Sequence, residues 1–320
     1  MNPIISLILP AYNVGDFIEP CVHSCEEQDI PSSDYEVIIV NDGSNDGITP
    51  NKIQSLAKIY PNIRVVNQEN QGLSMARNNG AKVAKGKYIW FVDSDDTIAR
   101  NCLGTLLSIM DKHNLDALTV GPSIPFREDF PNDFNEATDL SEIYDGTNFL
   151  LNSQKFVVGA WCYIVRRSFW ENANLEFYPG IAYEDTQLMY YAVSKTSRIA
   201  ALTTFSCYNY IQREGSIMNS GANKRKLMSH AVIVNTHLEY SKEVNDPRIK
   251  ESFERSASCA FIGGISCLIK LGSNVVLYRD FMSAIVQRPK KLYGNSIVEK
   301  IFQYFVLNYP LLYIRIRKWL

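Results

Sequence analysis

Residues 87–96 read Lys87-Tyr88-Ile89-Trp90-Phe91-Val92-Asp93-Ser94-Asp95-Asp96. The apolar first half, with its β-branched and aromatic residues, is typical of a buried strand. The acids then follow at the end of that strand, where α/β proteins place their ligands. Asp93 and Asp95 lie two residues apart, so an extended backbone directs both carboxylates to one side. Because such carboxylates repel each other, the pattern predicts a hard divalent cation between them, Mg²⁺ or Mn²⁺, that bridges to phosphate.

Composition limits the classes of protein that this chain can belong to. It has 320 residues, 46% of them hydrophobic, which allows one sizeable core and a second, smaller unit. The net charge of −2 gives no basic field for nucleic acid, so nucleic acid is not an expected partner. Seven cysteines without a CxxC pair indicate reduced thiols, and we expect a cytoplasmic protein.

Membrane and secretion signals are not evident in the sequence. The chain enters a strand-like run after Met1-Asn2-Pro3, without the basic region of a signal peptide. The sequence contains no uninterrupted apolar stretch of about 18 residues, so it predicts no transmembrane helix.

Apolar runs and helical periods alternate over the first 120 residues. The predicted strands are 4–10, 35–40, 63–66, 88–92 and 117–120, and the predicted helices are 16–28, 52–60, 73–84 and 102–113. This alternation indicates βαβ units and a mostly parallel central sheet flanked by helices, which is an α/β fold with a Rossmann-like half. Right-handed crossovers then bring Tyr12, Asp42 and the Asp93 cluster to one edge of the sheet, since each follows a strand.

The pattern of residues changes near positions 218–222. A Pro-, Asp- and Asn-rich stretch at 122–146 is typical of a loop, and long helical periods dominate after residue 222. We therefore expect a catalytic domain at 1–218, with a nucleotide-binding half at about 1–120 and an acceptor half at about 121–218. A helical C-terminal region is expected at 219–320.

Several short motifs occur in a fixed order. They are Pro10-Ala11-Tyr12-Asn13, Asn41-Asp42-Gly43-Ser44, Gln71-Gly72 with Ala76-Arg77-Asn78, Asp93-Ser94-Asp95-Asp96 and Tyr183-Glu184-Asp185. Together they resemble the family 2 inverting glycosyltransferases of the GT-A fold, of the bacterial surface-polysaccharide type, over about residues 4–217. The resemblance implies a nucleotide-sugar donor, a UDP-sugar by family habit, and a glycan or lipid-linked saccharide as acceptor.

The resemblance also implies a role for each acid. Asp42 would accept a hydrogen bond from the nucleotide base, and Arg77 would contact the nucleotide. Asp95 would be the leading metal ligand, with Asp93 beside it near the ribose or metal. Asp185 would be the general base that takes the proton of the acceptor hydroxyl, with Glu184 as the second candidate.

Further residues receive less specific assignments. The resemblance implies donor contacts for Pro10 and Tyr12 in the first motif and for Arg213 and Ser216 in a late segment. Trp161 would contact the acceptor, although a core tryptophan is an equally good interpretation. Asp96, which an extended chain directs away from its neighbours, is expected to cap the following helix.

The C-terminal tail from Arg288 onward mixes cations with aromatic and aliphatic residues, and Glu299 is its one acid. This pattern is typical of an interfacial segment at the cytoplasmic face of the inner membrane. A helix packed on the catalytic domain would have the same pattern, and the sequence leaves both interpretations open.

Two other functions remain as alternatives. A nucleotidyltransferase can share a related sheet, but usually carries a Gly-rich phosphate loop where this chain has Pro10-Ala11-Tyr12-Asn13. A catalytically inactive sugar-nucleotide or glycan-binding module would not need the acids at 93, 95 and 185.

Overall fold

A computed structural model describes residues 2–121, 125–152, 156–211, 221–289 and 297–317. By their internal contacts, the residues form two units, and each is described by itself below. Unit 1 consists of residues 1–180 and 188–213, and unit 2 of residues 181–187 and 214–320. The predicted domain boundary near 218–222 stays a prediction, because residues 212–220 lie outside the described residues.

Unit 1 is built on a central sheet. Its strands are β1 (Ile5–Ala11), β2 (Tyr35–Asp42), β3 (Ile63–Gln68), β4 (Tyr88–Phe91), β6 (Ala117–Thr119), β7 (Tyr163–Arg166) and β8 (Ile199–Ala201). The order across the sheet is β3-β2-β1-β4-β7-β6-β8. All neighbouring pairs are parallel except those that β7 makes with β4 and β6, so the expected α/β fold with a mostly parallel sheet is confirmed.

Helices cover both faces of this sheet. They are α1 (Ile18–Glu26), α2 (Thr49–Ile59), α3 (Leu73–Val83), α4 (Leu103–Lys112), α5 (Glu136–Asp139), α6 (Gly146–Asn152), α7 (Arg167–Asn172) and α8 (Glu184–Ser194), the last of which begins in unit 2. In β1, Leu7 and Leu9 pack into one core with α1, α2 and α4, whereas Ile8 packs into the other with α3. Burial on both faces explains why β4 is a continuous apolar run and why β1 is apolar except for Ser6.

The parallel register brings the carboxyl ends of four strands to one edge. Ala11 pairs with Asn41, Asp42 pairs with Gln68, and Ile8 pairs with Phe91. The residues that follow β1, β2 and β4 therefore share this edge, as the strand pattern predicts. A short antiparallel ribbon pairs β5 (Thr97–Ile98) with β9 (Tyr208–Asn209). In the chain, β5 directly follows the acid cluster.

Unit 2 is helical. Its helices are α9 (Lys224–Glu243), α10 (Pro247–Lys270), α11 (Val275–Ala284), α12 (Ile297–Asn308) and α13 (Pro310–Arg317). The apolar faces of α9 and α10 meet in a core around Phe261 and Phe281. Gly263 allows this approach, since a Cβ there would lie 2.6 Å from Cε1 of His230 on α9. No helix in the described ranges combines the length and the apolarity that a bilayer crossing requires.

Candidate active site

The acid loop, residues 93–96, begins two residues after Phe91, the last residue of β4. Ser94 is buried and its Oγ donates to the Pro10 carbonyl at 2.7 Å, which ties the loop to β1. Asp93 and Asp95 are partly exposed, whereas Asp96 is buried. The expected extended backbone is wrong here, because residues 93–96 form a turn in which the Asp96 amide donates to the Asp93 carbonyl at 3.0 Å. The turn nevertheless leaves the carboxylates of Asp93 and Asp95 partly exposed.

Asp96 holds the loop from inside. Its Oδ2 accepts from the Tyr208 hydroxyl at 2.7 Å and its Oδ1 from the Ile211 amide at 2.8 Å. Burial and, secondly, the neighbouring Asp93 carboxylate raise the pKa of Asp96 to about 7. The expectation that Asp96 caps the next helix is wrong, because α4 begins after Cys102 and has no side-chain cap.

Arg77 lies on α3, and its side chain reaches the acid loop. Its guanidinium donates from Nη2 to Oδ1 of Asp93 at 2.8 Å, and its side chain is only 1% exposed. The ring of Phe177 lies 5.3 Å from the guanidinium carbon, in cation–π contact. Arg77 therefore fixes Asp93 in one orientation and brings a buried positive charge to the loop.

Asp42 ends β2 and is buried. Its Oδ1 accepts from Gln68 Nε2 at 2.7 Å and from the Gln71 amide at 2.8 Å, and its Oδ2 accepts from the Gly72 amide at 2.9 Å. Asp42 thus organises the turn that leads into α3. Oδ2 keeps a second lone pair that a further donor can use.

The first motif contributes one exposed ring. Tyr12 follows β1 and is 46% exposed, while Pro10 lies within β1 and is buried. The two therefore differ, since only Tyr12 presents its side chain to solvent at the edge shared with Asp42 and the acid loop.

Trp161 lies in an aromatic stack. Its ring stacks on Tyr208 with the centroids 4.4 Å apart, and on Tyr210 with the centroids 5.5 Å apart and the planes 7° apart. Tyr208 is buried, whereas Tyr210 is 43% exposed. Trp161, the predicted acceptor contact, therefore packs against two tyrosine rings, of which Tyr210 is the more exposed.

Glu184 and Asp185 form the first turn of α8 and belong to unit 2. Glu184 is buried, and Asp185 is half-buried. Tyr183, directly before them, has a φ of 67°, an uncommon conformation for a tyrosine. Arg213 and Ser216 lie outside the described residues.

The acid loop fits a divalent cation in one particular way. Among the described residues, no group of three or more His, Cys, Asp or Glu side chains is placed to hold a metal ion. Asp93 and Asp95 supply carboxylate oxygens only, which is the donor set that Mg²⁺ uses when phosphate oxygens and water complete its shell. Asp93 keeps Oδ2 for this purpose, since Oδ1 accepts from Arg77.

Comparison with known proteins gives the family. The profile described as glycosyl transferase family 2 matches residues 6–172, more than half of the chain. This chain belongs to glycosyl transferase family 2. The resemblance inferred from the motifs is confirmed.

Curated relatives extend this result. The uncharacterized glycosyltransferase EpsJ of Bacillus subtilis is 35% identical over 212 residues, which cover 63% of this chain and 59% of EpsJ. The uncharacterized glycosyltransferase YibD of Escherichia coli is 31% identical over 223 residues, which cover 67% of this chain and 62% of YibD. The chain thus spans about 60% of the length of these two relatives.

Solved structures support the fold. The crystal structure of S. aureus TarS 1-349 in complex with UDP-GlcNAc has a TM-score of 0.67 at 20% identity, over 95% of this chain and 90% of that chain. The mannosyltransferase PcManGT from Pyrobaculum calidifontis, in complex with GDP-Man and Mn²⁺, has a TM-score of 0.53 at 16% identity, over 99% of this chain and 85% of that chain. Both agree with the expected GT-A arrangement of the sheet.

Tyr208 begins the late segment that resembles the family, but the sequence does not predict its contact with the acid loop. Its hydroxyl donates to Asp96 and accepts from the Asp93 amide at 3.0 Å, so one side chain holds both ends of the acid loop. The sequence shows a Tyr-x-Tyr pattern at 208–210, but this pattern does not indicate that Tyr208 binds Asp96, 112 residues away.

Proposed function

We propose that this protein is an inverting glycosyltransferase. It moves a sugar from a nucleotide-sugar donor, a UDP-sugar in the first instance, onto a hydroxyl of a glycan or lipid-linked saccharide. The observation that carries the proposal is the acid loop, in which Arg77 and Tyr208 both bind Asp93. This loop and Asp42 lie at the same edge of the sheet. Family membership supports transfer of a sugar rather than of a nucleotide.

The donor site would use the groups at the sheet edge. Asp42 would accept from the nucleotide base, Tyr12 would contact its ring, and Arg77 would hold Asp93 toward the ribose. Asp95 and Asp93 would hold Mg²⁺ or Mn²⁺, which when bound supplies positive charge to the oxygens of the diphosphate leaving group. In the late segment, Arg213 and Ser216 remain proposed diphosphate contacts.

The transfer step would use Asp185. Its carboxylate takes the proton of the acceptor hydroxyl while that oxygen forms a bond to the anomeric carbon. The bond from that carbon to the diphosphate breaks at the opposite face, so the configuration inverts. A positioned base accelerates such a step about 10²–10⁴-fold. Glu184 is buried at the preceding position, which favours Asp185 as the residue that reaches a substrate.

A donor panel tests the proposal. Purified protein is incubated with individual nucleotide sugars and MnCl₂, and nucleoside diphosphate release is measured with and without glycan acceptors. We expect UDP release from one UDP-sugar, and its loss in Asp95→Ala. Release of pyrophosphate from a nucleoside triphosphate would instead indicate a nucleotidyltransferase. Donor binding without release on every acceptor would indicate a binding module.

The cellular location proposed with this activity is the cytoplasm, with contact of α12 and α13 to the inner membrane. Four exposed apolar side chains support the contact, Tyr304, Tyr309, Leu311 and Leu312. Vesicle sedimentation tests it. Binding to vesicles with anionic lipid, and its loss in Leu311→Glu/Leu312→Glu, is expected, whereas equal recovery in the supernatant with and without vesicles would contradict it.

A further inference from the structure

Helix α9 contacts the segment Ile181–Gln187 along its whole length. Within unit 2, Arg225 donates from Nη2 to the Ile181 carbonyl at 2.7 Å, and Ser229 Oγ accepts from the Ala182 amide at 2.8 Å. These bonds hold the chain just before the acid pair.

The same helix holds the chain just after the acid pair. His237 Nε2 lies 3.0 Å from the Thr186 carbonyl and 3.2 Å from the Gln187 carbonyl. Since both partners are acceptors, Nε2 carries the proton and donates to them. Tyr240 completes the set, because its hydroxyl accepts from Gln187 Nε2 at 2.7 Å.

These contacts share two properties. The helical positions 225, 229, 237 and 240 are spaced by three, four or eight residues, so they lie on one stripe of α9. Apart from the Tyr240 bond, they end on backbone atoms of the segment, so they fix its path and not the identity of its side chains. A side chain that only fills a core would share the spacing but would not need the hydrogen bonds to this backbone.

The segment itself needs such support. Tyr183 has a φ of 67°, and the ring of His230 on α9 lies 5.5 Å from its ring. A strained residue keeps its conformation only where its surroundings determine it. Here the strained residue directly precedes Glu184 and Asp185.

We propose that α9 is the element that positions the acid pair for catalysis, with Ser229 and His237 as positioning residues. The inference rests on the proposed function of Asp185 as base. The helical region would then position a residue for the chemical step, a role separate from the proposed contact with the membrane. A shift of about 1 Å in a reacting group can cost about 10²-fold in rate, so loss of these bonds lowers kcat.

Ser229→Ala is the sharpest test. Its matched control is Asn235→Ala on the same helix, because Asn235 bonds to Ala284 and Val286 instead of residues 181–187. For each variant we measure UDP affinity by calorimetry, unfolding in urea, and kcat on the donor identified by the panel. We expect UDP affinity within twofold of wild type for both variants, and an at least tenfold lower kcat only for Ser229→Ala.

A second pair of variants separates positioning from general stability. His237→Leu removes the donor to the Thr186 and Gln187 carbonyls, whereas His237→Gln keeps an N–H donor. We expect His237→Gln to recover most of the rate that His237→Leu loses. Equal kcat in Ser229→Ala and Asn235→Ala, or no difference between the two His237 variants, would overturn the proposal.

Hydrogen exchange gives a readout that does not depend on activity. The Ala182 amide should be protected in the wild type and in Asn235→Ala, and should exchange faster in Ser229→Ala. Unchanged protection would refute the role of α9. Asp185→Asn is measured in parallel. If it keeps the wild-type rate, the base assignment fails, and if it loses activity while Ser229→Ala does not, only the inference about α9 fails.

Discussion

Tyr208→Phe perturbs the acid loop with the smallest change of shape. The substitution removes one oxygen from a fully buried ring and leaves the stack on Trp161 in place. Two hydrogen bonds disappear, the one donated to Asp96 at 2.7 Å and the one accepted from the Asp93 amide at 3.0 Å.

The magnitude follows from these two bonds. The bond to Asp96 contributes about 0.5–1.5 kcal/mol when that carboxyl is protonated and about 1.5–3 kcal/mol when it is ionised, and a buried amide without a partner costs about 1–3 kcal/mol. We therefore expect the free energy of unfolding to fall by about 3 kcal/mol. Because the Asp93 amide loses its anchor, UDP affinity in the presence of Mn²⁺ should fall by about tenfold.

Urea denaturation and calorimetry measure the two effects. The control is Tyr60→Phe, whose hydroxyl bonds to His23 at an exposed site and should change stability by less than about 0.5 kcal/mol. If Tyr208→Phe is as stable as Tyr60→Phe and binds UDP as tightly as the wild type, Tyr208 does not organise the acid loop.

Three other outcomes follow from particular contacts. Burial lowers the pKa of His230 and His237 to about 4, below the value of about 6.5 in the unfolded chain. The free energy of unfolding should therefore be highest above pH 6.5 and should fall as the pH drops toward 4, by about 2 kcal/mol per histidine at pH 5. An unchanged urea midpoint between pH 7 and pH 5 would contradict this. Gly80→Ala should destabilise by about 1–3 kcal/mol in spite of its better helix propensity, since the new Cβ would lie 2.3 Å from Cγ2 of Ile8; a more stable variant in thermal melts would show that α3 can move away. Asp42→Asn should weaken UDP binding and loosen the turn before α3, and calorimetry with unchanged affinity would remove Asp42 from the donor site.

The sequence predicts those parts of the fold that depend on local pattern. The predicted strand at 88–92 is a continuous apolar run and the one at 35–40 is apolar except for Glu36, and the structure has β4 and β2 there. Parallel pairing then follows from chain order, so the common edge of Tyr12, Asp42 and Asp93 could be derived without coordinates. The helical texture after residue 222 likewise corresponds to α9 and α10.

Long-range pairing accounts for what the sequence did not predict. β7 is a short antiparallel strand, and nothing in Tyr163–Arg166 indicates that it inserts between β4 and β6. The β5–β9 ribbon brings Tyr208 to Asp96 across 112 residues, a pairing that composition cannot encode. The assignment of Asp96 as a helix cap failed for this reason, because its true partners lie far away in the chain.

The central claim is that a base, Asp185, acts on an acceptor while separate residues bind the nucleotide-sugar donor. The most direct measurement compares Asp185→Asn with the wild type for donor affinity by calorimetry and for transfer in a single turnover. We expect unchanged affinity for the donor and a loss of transfer of at least about 10²-fold. Transfer by Asp185→Asn at the wild-type rate would contradict it.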